Sequence, residues 1–548
     1  MPELVIEPAA PQPRNFRRAR TVGIVSVLTV IVAVFGYLRE AALAAKFGVS
    51  ATMDAYFGAI FIPTMVYMVL IAGTLSPVFI PILLQEDTNG DSAKLSETFS
   101  VVTNFVLLFL TGLVCCALIT ARIWLRLLFS GFSAATAETT IHLVYVIFPS
   151  VLFVAMAGIL TAVLNGFGKF ALAAFAPALS SVTVIVATLL ARGDRAIYVV
   201  GIATAIGFVL QLLSLIPATA SLGIRYRLNF SFRHPAIERL LRLGTPLFLY
   251  LVVANGTLFL ERNLASRLSA GAVSTLTYAM RLFAVPANFL AAPLAIVSYP
   301  QFAREALREG HGDLRNQVSR MFRLVLFLFL PVTVFTILNA RPITRLLYER
   351  GQFRLADSVV TSRVLMLYGI GILPNALAVI LLRCLYAVQD TVTPLLAESV
   401  DLVFYATVAT VLTRHFGIEG LALTRGLTFF LVTAILMFVL SKKRDLLVID
   451  LGLFRFFLRT ALASVVMMTV NWMTLRLFQS PFDSGTAPVR LAILCGVLVL
   501  SGAAFLAAAR LLKLSEVTLA FNSGLELLPR RLQARLFAKM PGSDGLAE

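Results

Sequence analysis

Charged residues are scarce in this sequence. Only 14% of its 548 residues are Asp, Glu, Lys or Arg, whereas soluble proteins average about 25%. Apolar residues take their place: they make up 59% of the chain, and its mean hydropathy is +0.90. A composition this apolar over such a length excludes an ordinary soluble protein and predicts a membrane protein with many spans.

Histidine and cysteine are also rare, with four of each. The adjacent Cys115 and Cys116 lie in an apolar segment, so we expect small core residues there rather than a disulfide. No His/Cys/Asp group has the spacing of a metal site, and the absence of a Walker-type loop argues against an ATPase. The outside loops are short, which argues against a glycosyltransferase, a glycan polymerase or a ligase. We therefore expect no enzyme activity, no cofactor and no metal.

Acidic residues are outnumbered by basic ones, 28 to 46, which gives a net charge of +18. In so apolar a chain this excess indicates the cytosolic membrane face and anionic lipid, not nucleic acid. A span needs about 20 mostly apolar residues, and the sequence accommodates fourteen. With the N-terminus inside, the inside segments hold 27 Lys/Arg and the outside segments 13. The asymmetry predicts that both termini are cytosolic.

Two basic segments divide the spans into groups. The predicted parts are a basic cytosolic N-terminal tail (1–21), a first lobe of spans one to six (22–221), a basic cytosolic linker (222–243), a second lobe of spans seven to twelve (244–441), a second basic linker (442–459), spans thirteen and fourteen (460–509) and a cytosolic C-terminal tail (510–548). Parallel repeats with a site between them are a common transporter plan. In the last tail, Leu528, Leu532 and Leu536 predict either an interfacial helix or a disordered basic segment.

Six of the basic residues fall inside predicted spans, and all six are arginine. They are Arg39, Arg262, Arg281, Arg363, Arg383 and Arg425. A charge at that depth is costly, so it faces a partner or a water-filled cavity, and arginine binds phosphate through a bidentate fork. The acids inside spans are Glu40, Asp54, Glu261, Glu398 and Asp401. The alternative is that these charges pair with one another or lie near span ends, where long side chains reach the interface.

The first hydrophobic unit, 22–84, has the most irregular sequence. Besides its charges it holds several helix breakers, among them Gly36, Pro63, Gly73, Pro77 and Pro81. A hydrophobic segment interrupted by Gly and Pro in a many-span protein predicts a broken helix beside a binding site.

The motifs of this unit, taken in order, resemble those of the MurJ/MviN family of lipid II flippases, within the wider multidrug/oligosaccharidyl-lipid/polysaccharide exporter superfamily. They read Gly36-Tyr-Leu-Arg39-Glu40, Asp54-Ala-Tyr-Phe57 and Gly73-Thr-Leu-Ser76-Pro-Val-Phe79-Ile-Pro81. Later pieces are Tyr278-Ala-Met-Arg281-Leu-Phe-Ala-Val-Pro286, the loop 346–353, and Arg383-Cys-Leu-Tyr386-Ala-Val-Gln389-Asp390-Thr391-Val-Thr393-Pro394. The similarity runs from about residue 22 to 445. Gln389 and Asp390 also have a simpler interpretation as helix caps.

The chain departs from the family pattern in three places. Ala33 and Tyr67 stand where the best-known members carry arginine, and Ala72 stands in place of a glutamate. In span seven the chain instead has Glu261 and Arg262 at positions that are usually apolar. It therefore resembles a divergent member, and these departures bear on the identity of the cargo.

The resemblance implies an all-α integral membrane protein of about 14 transmembrane helices: two six-helix lobes around a central cavity, plus two C-terminal helices along a lipid groove. It implies alternating-access translocation of a polyprenyl-diphosphate-linked glycan, lipid II or a relative, to the outer leaflet. The residues expected to bind the diphosphate are Arg39, Arg281 and Arg262. Those expected to contact the substrate or to orient the charges are Glu40, Asp54, Glu261 and Ser76. Those expected to serve gating or structure are Gly36, Pro63, Gly73, Pro286, Arg383, Gln389 and Asp390.

The same resemblance implies a bacterial inner-membrane protein that works as a monomer among membrane lipids and beside cell-envelope synthesis enzymes. Its energy would come from the membrane potential or a monovalent cation. Three alternatives stay open at this point: a flippase for exopolysaccharide or O-antigen repeat units, a cation-coupled small-molecule exporter, and a membrane scaffold in cell-wall assembly. The six in-span arginines argue against the exporter, whose pocket should be more apolar and acidic.

Overall fold

The computed structural model describes residues 14–69, 79–83, 85, 92–231, 233–308, 312–514 and 516. Within these residues every regular element is a helix, so the predicted all-α fold is confirmed. Gly73, Ser76 and Pro77 lie outside the described residues, as do Leu528, Leu532 and Leu536 of the C-terminal tail.

The described helices form two compact units. The first runs up to Tyr278 and also includes Tyr348–Asp357. Its helices are α1 (Arg14–Phe47), α2 (Ala51–Val66), α3 (Ser92–Ile119), α4 (Ala121–Leu128), α5 (Ala134–Ile147), α6 (Val151–Gly166), α7 (Phe170–Phe175), α8 (Pro177–Leu190), α9 (Ala196–Ala220), α10 (Pro235–Ala254) and α11 (Gly256–Ser266). The helix α12 (Ala272–Pro286) begins in this unit and ends in the other.

The second unit comprises Ala279–Leu347 and the chain from Ser358 onward. Its helices are α13 (Ala292–Ala306), α14 (Gly312–Leu338), α15 (Ala340–Tyr348), α16 (Leu355–Gly369), α17 (Ile372–Ala387), α18 (Val392–Phe438), α19 (Leu451–Leu477), α20 (Gln479–Ser484) and α21 (Ala487–Leu511). Because α10 and α11 belong to the first unit, the two compact units and the two predicted six-span lobes divide the chain differently.

The span count agrees with the predicted fourteen. Twelve stretches of the described residues are long and apolar enough to cross a membrane, and the bent pair α16 and α17 supplies another. One of the twelve, Val392–Lys443, has 52 residues, which at 1.5 Å per residue is more than twice the thickness of a bilayer core of about 30 Å. Gly417 breaks it with a φ of 56°. That stretch therefore accounts for two spans.

Several helices begin before the apolar segment does. The helix α10 begins at Pro235, although its predicted span begins at 244, because the His234 ring accepts a hydrogen bond from the Ala236 N–H and caps the helix. In the same way Asp450 caps α19 at Leu451. Hydropathy locates the edge of the hydrocarbon, while a capped helix continues through the polar interface.

Candidate functional site

The two charges of α1 that the sequence analysis singled out, Arg39 and Glu40, lie in its C-terminal half. Arg39 and Glu40 form an ion pair, with Arg39 Nη2 2.8 Å from Glu40 Oε1. The Arg39 side chain is 22% exposed and that of Glu40 only 3%. The helix runs through Gly36 without a break, and a Cβ added there would meet no other atom within 4 Å. Arg39 thus keeps part of its side chain accessible, and the buried acid balances its charge.

Asp54 lies in the first turn of α2 and caps a different helix. Its carboxylate accepts 2.7 Å hydrogen bonds from the backbone N–H groups of Gly271 and Ser274, which open α12. These N–H groups have no partner inside their own helix, and the positive end of a helix dipole favours an anion. Asp54 is 3% exposed. The buried charge is therefore satisfied by the start of α12, and it holds α2 and α12 together.

Arg262 of α11 also contacts the start of α12. Its Nη1 donates to the Val273 carbonyl at 3.0 Å and to Thr277 Oγ1 at 2.6 Å, and its guanidinium lies 5.7 Å from the centroid of the Phe61 ring. The neighbouring Glu261 is 1% exposed. These contacts place Arg262 near the end of α11, beside the turn that leads into α12. Diphosphate binding by Arg262, and the substrate-contacting or charge-orienting role of Glu261, stay predictions.

Four aromatic rings are packed beneath the Asp54 cap. Tyr278 contacts Phe57 edge-on at 5.5 Å between centroids, and it lies 5.0 Å from Tyr348 and 5.6 Å from Phe353. The Tyr278 hydroxyl donates to the Gly48 carbonyl at 3.4 Å. All four rings are buried. The cluster fixes the loop after α15 against α2 and α12.

Two glycines allow the backbone to approach closely at this point. Gly48 and Gly351 both have a φ of +60°, in the left-handed region. A Cβ at Gly351 would lie 2.2 Å from the Ala45 carbonyl oxygen, and one at Gly48 would lie 2.6 Å from that of Gln352. The Gln352 N–H donates to the Ala45 carbonyl at 2.8 Å. No other residue type fits either position without moving the backbone.

These contacts join three turns of the first unit, 48–50, 267–271 and 349–353, which we call the three-turn junction. The turns follow α1, α11 and α15 respectively, and all three belong to the first unit. The junction is held by hydrogen bonds and close glycine contacts, and Phe353 of its third turn also belongs to the buried ring cluster. Opening the junction would break these hydrogen bonds and expose part of that cluster.

We expect Gly351→Ala to open the three-turn junction. The added methyl group overlaps the Ala45 backbone, and a left-handed alanine costs about 1 kcal/mol in addition. Hydrogen exchange of the Gln352 amide measures the opening directly, and we expect it to accelerate about tenfold or more. Gly193→Ala is the matched control: Gly193 has a φ of +70° but no neighbour within 4 Å. Equal protection of Gln352 in both variants would contradict the assignment.

The other predicted site residues have varied surroundings. Pro63 lies inside α2, which continues to Val66, and is buried. Arg281 lies on the part of α12 that belongs to the second unit, and it is exposed. In the same unit, Arg383 is half-buried with its guanidinium 5.9 Å from the centroid of the Tyr299 ring.

Gln389 and Asp390 form the turn between α17 and α18. Gln389 has a φ of +59°. The Asp390 carboxylate accepts from the Thr393 N–H at 3.0 Å, from the Thr393 hydroxyl at 2.9 Å and from Arg444 Nη2 at 2.7 Å. Burial raises the pKa of the Asp390 carboxyl, but the Thr393 hydrogen bonds and Arg444 outweigh it and hold that pKa below its usual value. The geometry agrees with the helix-cap interpretation.

An apolar groove of about 640 Å³ lies in the second unit. Its walls come from α12, α14 and α15 on one side and from α19 and α21 on the other. Pro286 lines it, as do Phe335, Met467, Ser501 and Gly502. None of the described residues that line the groove is charged. It therefore fits a long apolar chain and not a charged ligand.

Apart from Pro286, sequence reasoning named none of the residues that line this groove, and it did not name the junction glycines. The groove residues are ordinary apolar span residues, and hydropathy cannot distinguish a wall of a groove from a lipid-facing surface. Gly351 did carry a signal, because it lies in the loop 346–353 that was singled out. A glycine in a short polar loop after an apolar segment is a candidate for a left-handed turn.

Known proteins share both the sequence pattern and the fold. A family model described as lipid II flippase MurJ matches residues 43–493. A probable lipid II flippase MurJ of Bdellovibrio bacteriovorus is 28% identical over 75% of this chain and 79% of its own. A lipid II flippase MurJ of Burkholderia cenocepacia is 27% identical over 88% of this chain and 95% of its own.

Two solved structures show the same fold. Lipid II flippase MurJ in an inward closed conformation has a TM-score of 0.74 at 23% identity, covering 88% of this chain and 98% of that one. An inward-facing multidrug resistance MATE family transporter of the MOP superfamily has a TM-score of 0.61 at 15% identity, covering 76% of this chain and 97% of that one. At these identities the likeness concerns the fold alone.

Proposed function

The chain belongs to the lipid II flippase MurJ family, and we propose that it carries lipid II from the inner to the outer leaflet of the bacterial inner membrane. The observation that carries the proposal is the family match over 43–493, which runs through both compact units. The curated relatives described above bear the same name. None of them is named for an exopolysaccharide, an O-antigen unit or a small molecule, so those alternatives are not favoured.

We propose that Arg39 and Arg281 bind the diphosphate of the substrate. A guanidinium has five N–H donors in a planar fork that matches phosphate oxygens. Arg39 uses Nη2 on Glu40 and remains partly exposed, so it retains donors for a second anion. Glu40 then holds the Arg39 fork in one orientation in the absence of substrate. Arg262, Glu261 and Asp54 contribute charge near the start of α12.

The polyprenyl tail would occupy the apolar groove of the second unit. The groove volume of about 640 Å³ is within the range of small-molecule pockets, about 300–1,000 Å³. It would hold a part of the long tail while the remainder stays in the bilayer. The helices α19 and α21 form one wall, which gives the two C-terminal spans a role that six-span lobes alone do not supply.

The three-turn junction would serve as a two-state element of alternating access. With the junction closed, the ends of α1, α11 and α15 are held together; when it opens, substrate can leave on that side. A bound substrate can change this equilibrium only by its different affinity for the two states. Gly36, Pro63, Gly73 and Pro286 would supply bending points in the spans that lead to it.

We further propose that the protein is a transporter without catalytic activity or cofactor, and that it acts as a monomer with both termini in the cytosol. The Lys/Arg asymmetry of 27 to 13 supports that orientation. Energy would come from the membrane potential or a monovalent cation, and enzymes of cell-envelope synthesis would be its neighbours.

Reconstitution of the full chain tests the function. Vesicles would contain the purified protein and lipid II with a fluorescent head group, and an impermeant quencher would report the label in the outer leaflet. We expect the protected fraction to become accessible in vesicles with the protein and not in protein-free vesicles. A lipid-linked O-antigen unit on the same carrier and a fluorescent organic cation serve as rival cargoes. Movement of either rival, with lipid II stationary, would overturn the proposal.

A further inference from the structure

The two compact units contain a repeated segment. Residues 105–128 and 324–347 align without a gap at an offset of 219 positions, and both include Ala-Arg, three intervening residues and then Arg-Leu-Leu. In each copy a long helix, α3 or α14, ends just before a short helix, α4 or α15. The repeat therefore predicts similar surroundings for equivalent residues.

The first unit contains an apolar groove at the equivalent place. It has a volume of about 610 Å³ and is lined mainly by α2, α3, α4 and α11. Four of its lining residues are the repeat equivalents of residues that line the second-unit groove. The pairs are Leu113 and Val332, Ala117 and Thr336, Trp124 and Ile343, and Leu128 and Leu347. The same supersecondary unit thus builds an apolar groove twice.

The two grooves differ in what covers them. In the second unit Phe327 is 1% exposed and its ring lies 5.2 Å from that of Phe505 on α21. Its repeat equivalent in the first unit, Leu108, is 53% exposed, and Leu113 is 36% exposed. The first-unit groove is therefore accessible to lipid along α3, where α21 covers the other groove.

A cationic cavity adjoins this first groove. It has a volume of about 580 Å³, and its charged lining residues are Arg122, Arg126 and Glu138, with His142 beside them. Arg122 and Arg126 are four residues apart and project from one face of α4, whereas Trp124 and Leu128 of the same helix line the groove. With His142 neutral, the cavity has a net charge of +1. The Trp124 indole N–H donates to the Ala117 carbonyl at 2.9 Å, which fixes the ring in the groove.

We propose that the groove and the cationic cavity together bind one anionic phospholipid of the adjacent leaflet. Its phosphate would contact Arg122 and Arg126, and one acyl chain would lie along Ile62, Leu113 and Ala117. A phosphodiester carries a single negative charge, which matches the net +1 of the cavity. A diphosphate carries more negative charge and would meet the Glu138 carboxylate as well. A zwitterionic lipid offers no net charge to the two arginines.

Trp124 provides a direct test, because the chain has only two tryptophans. Trp472→Phe leaves Trp124 as the sole tryptophan of the full-length protein. The variant is reconstituted in vesicles of phosphatidylcholine. A low mole fraction of a lipid with brominated acyl chains is then included, either brominated phosphatidylglycerol or brominated phosphatidylcholine. We expect the brominated phosphatidylglycerol to quench Trp124 at a mole fraction about fivefold lower than brominated phosphatidylcholine, given one net charge near the surface.

Charge variants distinguish the site from a general surface effect. Arg122→Gln with Arg126→Gln should remove the preference, and Glu138→Gln should strengthen it. The matched control is the double variant Arg192→Gln with Arg195→Gln. It removes the same amount of charge from an exposed loop before α9 and should leave the lipid preference unchanged. Equal quenching by both lipids, or equal loss in both arginine pairs, would overturn the proposal. Unbrominated lipids can also be added to compete with the brominated phosphatidylglycerol. If polyprenyl phosphate relieves the quenching at a lower mole fraction than phosphatidylglycerol does, the site belongs to the carrier lipid and the proposal is overturned.

Discussion

Replacing Gly502 by tryptophan is expected to abolish lipid II translocation while leaving the protein folded. Gly502 lines the apolar groove of the second unit, and a Cβ added there meets no other atom within 4 Å. The indole would therefore enter the groove instead of displacing packed neighbours, and the polyprenyl chain would lose its place. We expect transport in the vesicle assay to fall at least about tenfold, since excluding even two methylene groups costs about 1.6 kcal/mol.

A matched control lies on the same helix. A Cβ at Gly496 also meets no atom within 4 Å, and Gly496 does not line the groove. Gly496→Trp should therefore retain transport. Any effect of the added tryptophan on membrane insertion should be the same in Gly496→Trp and Gly502→Trp. A lipid II analogue with a tail too short to reach the groove should be transported at the same rate by the wild type and by Gly502→Trp. Full activity of Gly502→Trp with natural lipid II would exclude the groove as the tail site.

The spans and the fold class could be predicted from the sequence because they depend on hydropathy summed over about 20 residues. Helix ends could not, because they depend on single capping residues such as His234 and Asp450. The 42° bend between α16 and α17 could not be predicted for a similar reason, because it falls within one long apolar segment. Hydropathy measures the length of such a segment but not its direction.

The sequence indicated which charges lie inside the spans, but it did not indicate the partners of those charges. Asp54 was singled out as a buried charge, and a buried charge must find a partner. Sequence spacing offered arginines for it, whereas the structure supplies the backbone N–H groups of Gly271 and Ser274. Every residue except proline carries a backbone N–H donor, so residue type does not indicate which of these donors will bind the carboxylate. The bond depends on where α12 begins, and this is a feature of tertiary structure.

The in-span arginines are the second place where a large effect is expected. Arg39→Ala and Arg281→Ala should each abolish lipid II transport while the protein still reaches the membrane. A hydrogen bond to a charged group contributes about 1.5–3 kcal/mol, so each variant should lose at least about tenfold in transport. Arg39→Lys and Arg281→Lys should rescue poorly, because an ammonium group cannot form the bidentate fork with a diphosphate.

A control at a third arginine distinguishes the loss of diphosphate binding from the general effect of removing a charge from a span. Arg363 lies on α16, its side chain is 59% exposed, and it pairs with Glu419 at 3.3 Å. Exposed ion pairs of this kind contribute about 0–1 kcal/mol, so Arg363→Ala should keep most of the transport activity. If Arg39→Ala, Arg281→Ala and Arg363→Ala all fall equally, the loss reflects membrane assembly. If Arg39→Ala and Arg281→Ala remain fully active, the diphosphate is bound by other residues, and the ion pair of Arg39 with Glu40 has a structural role.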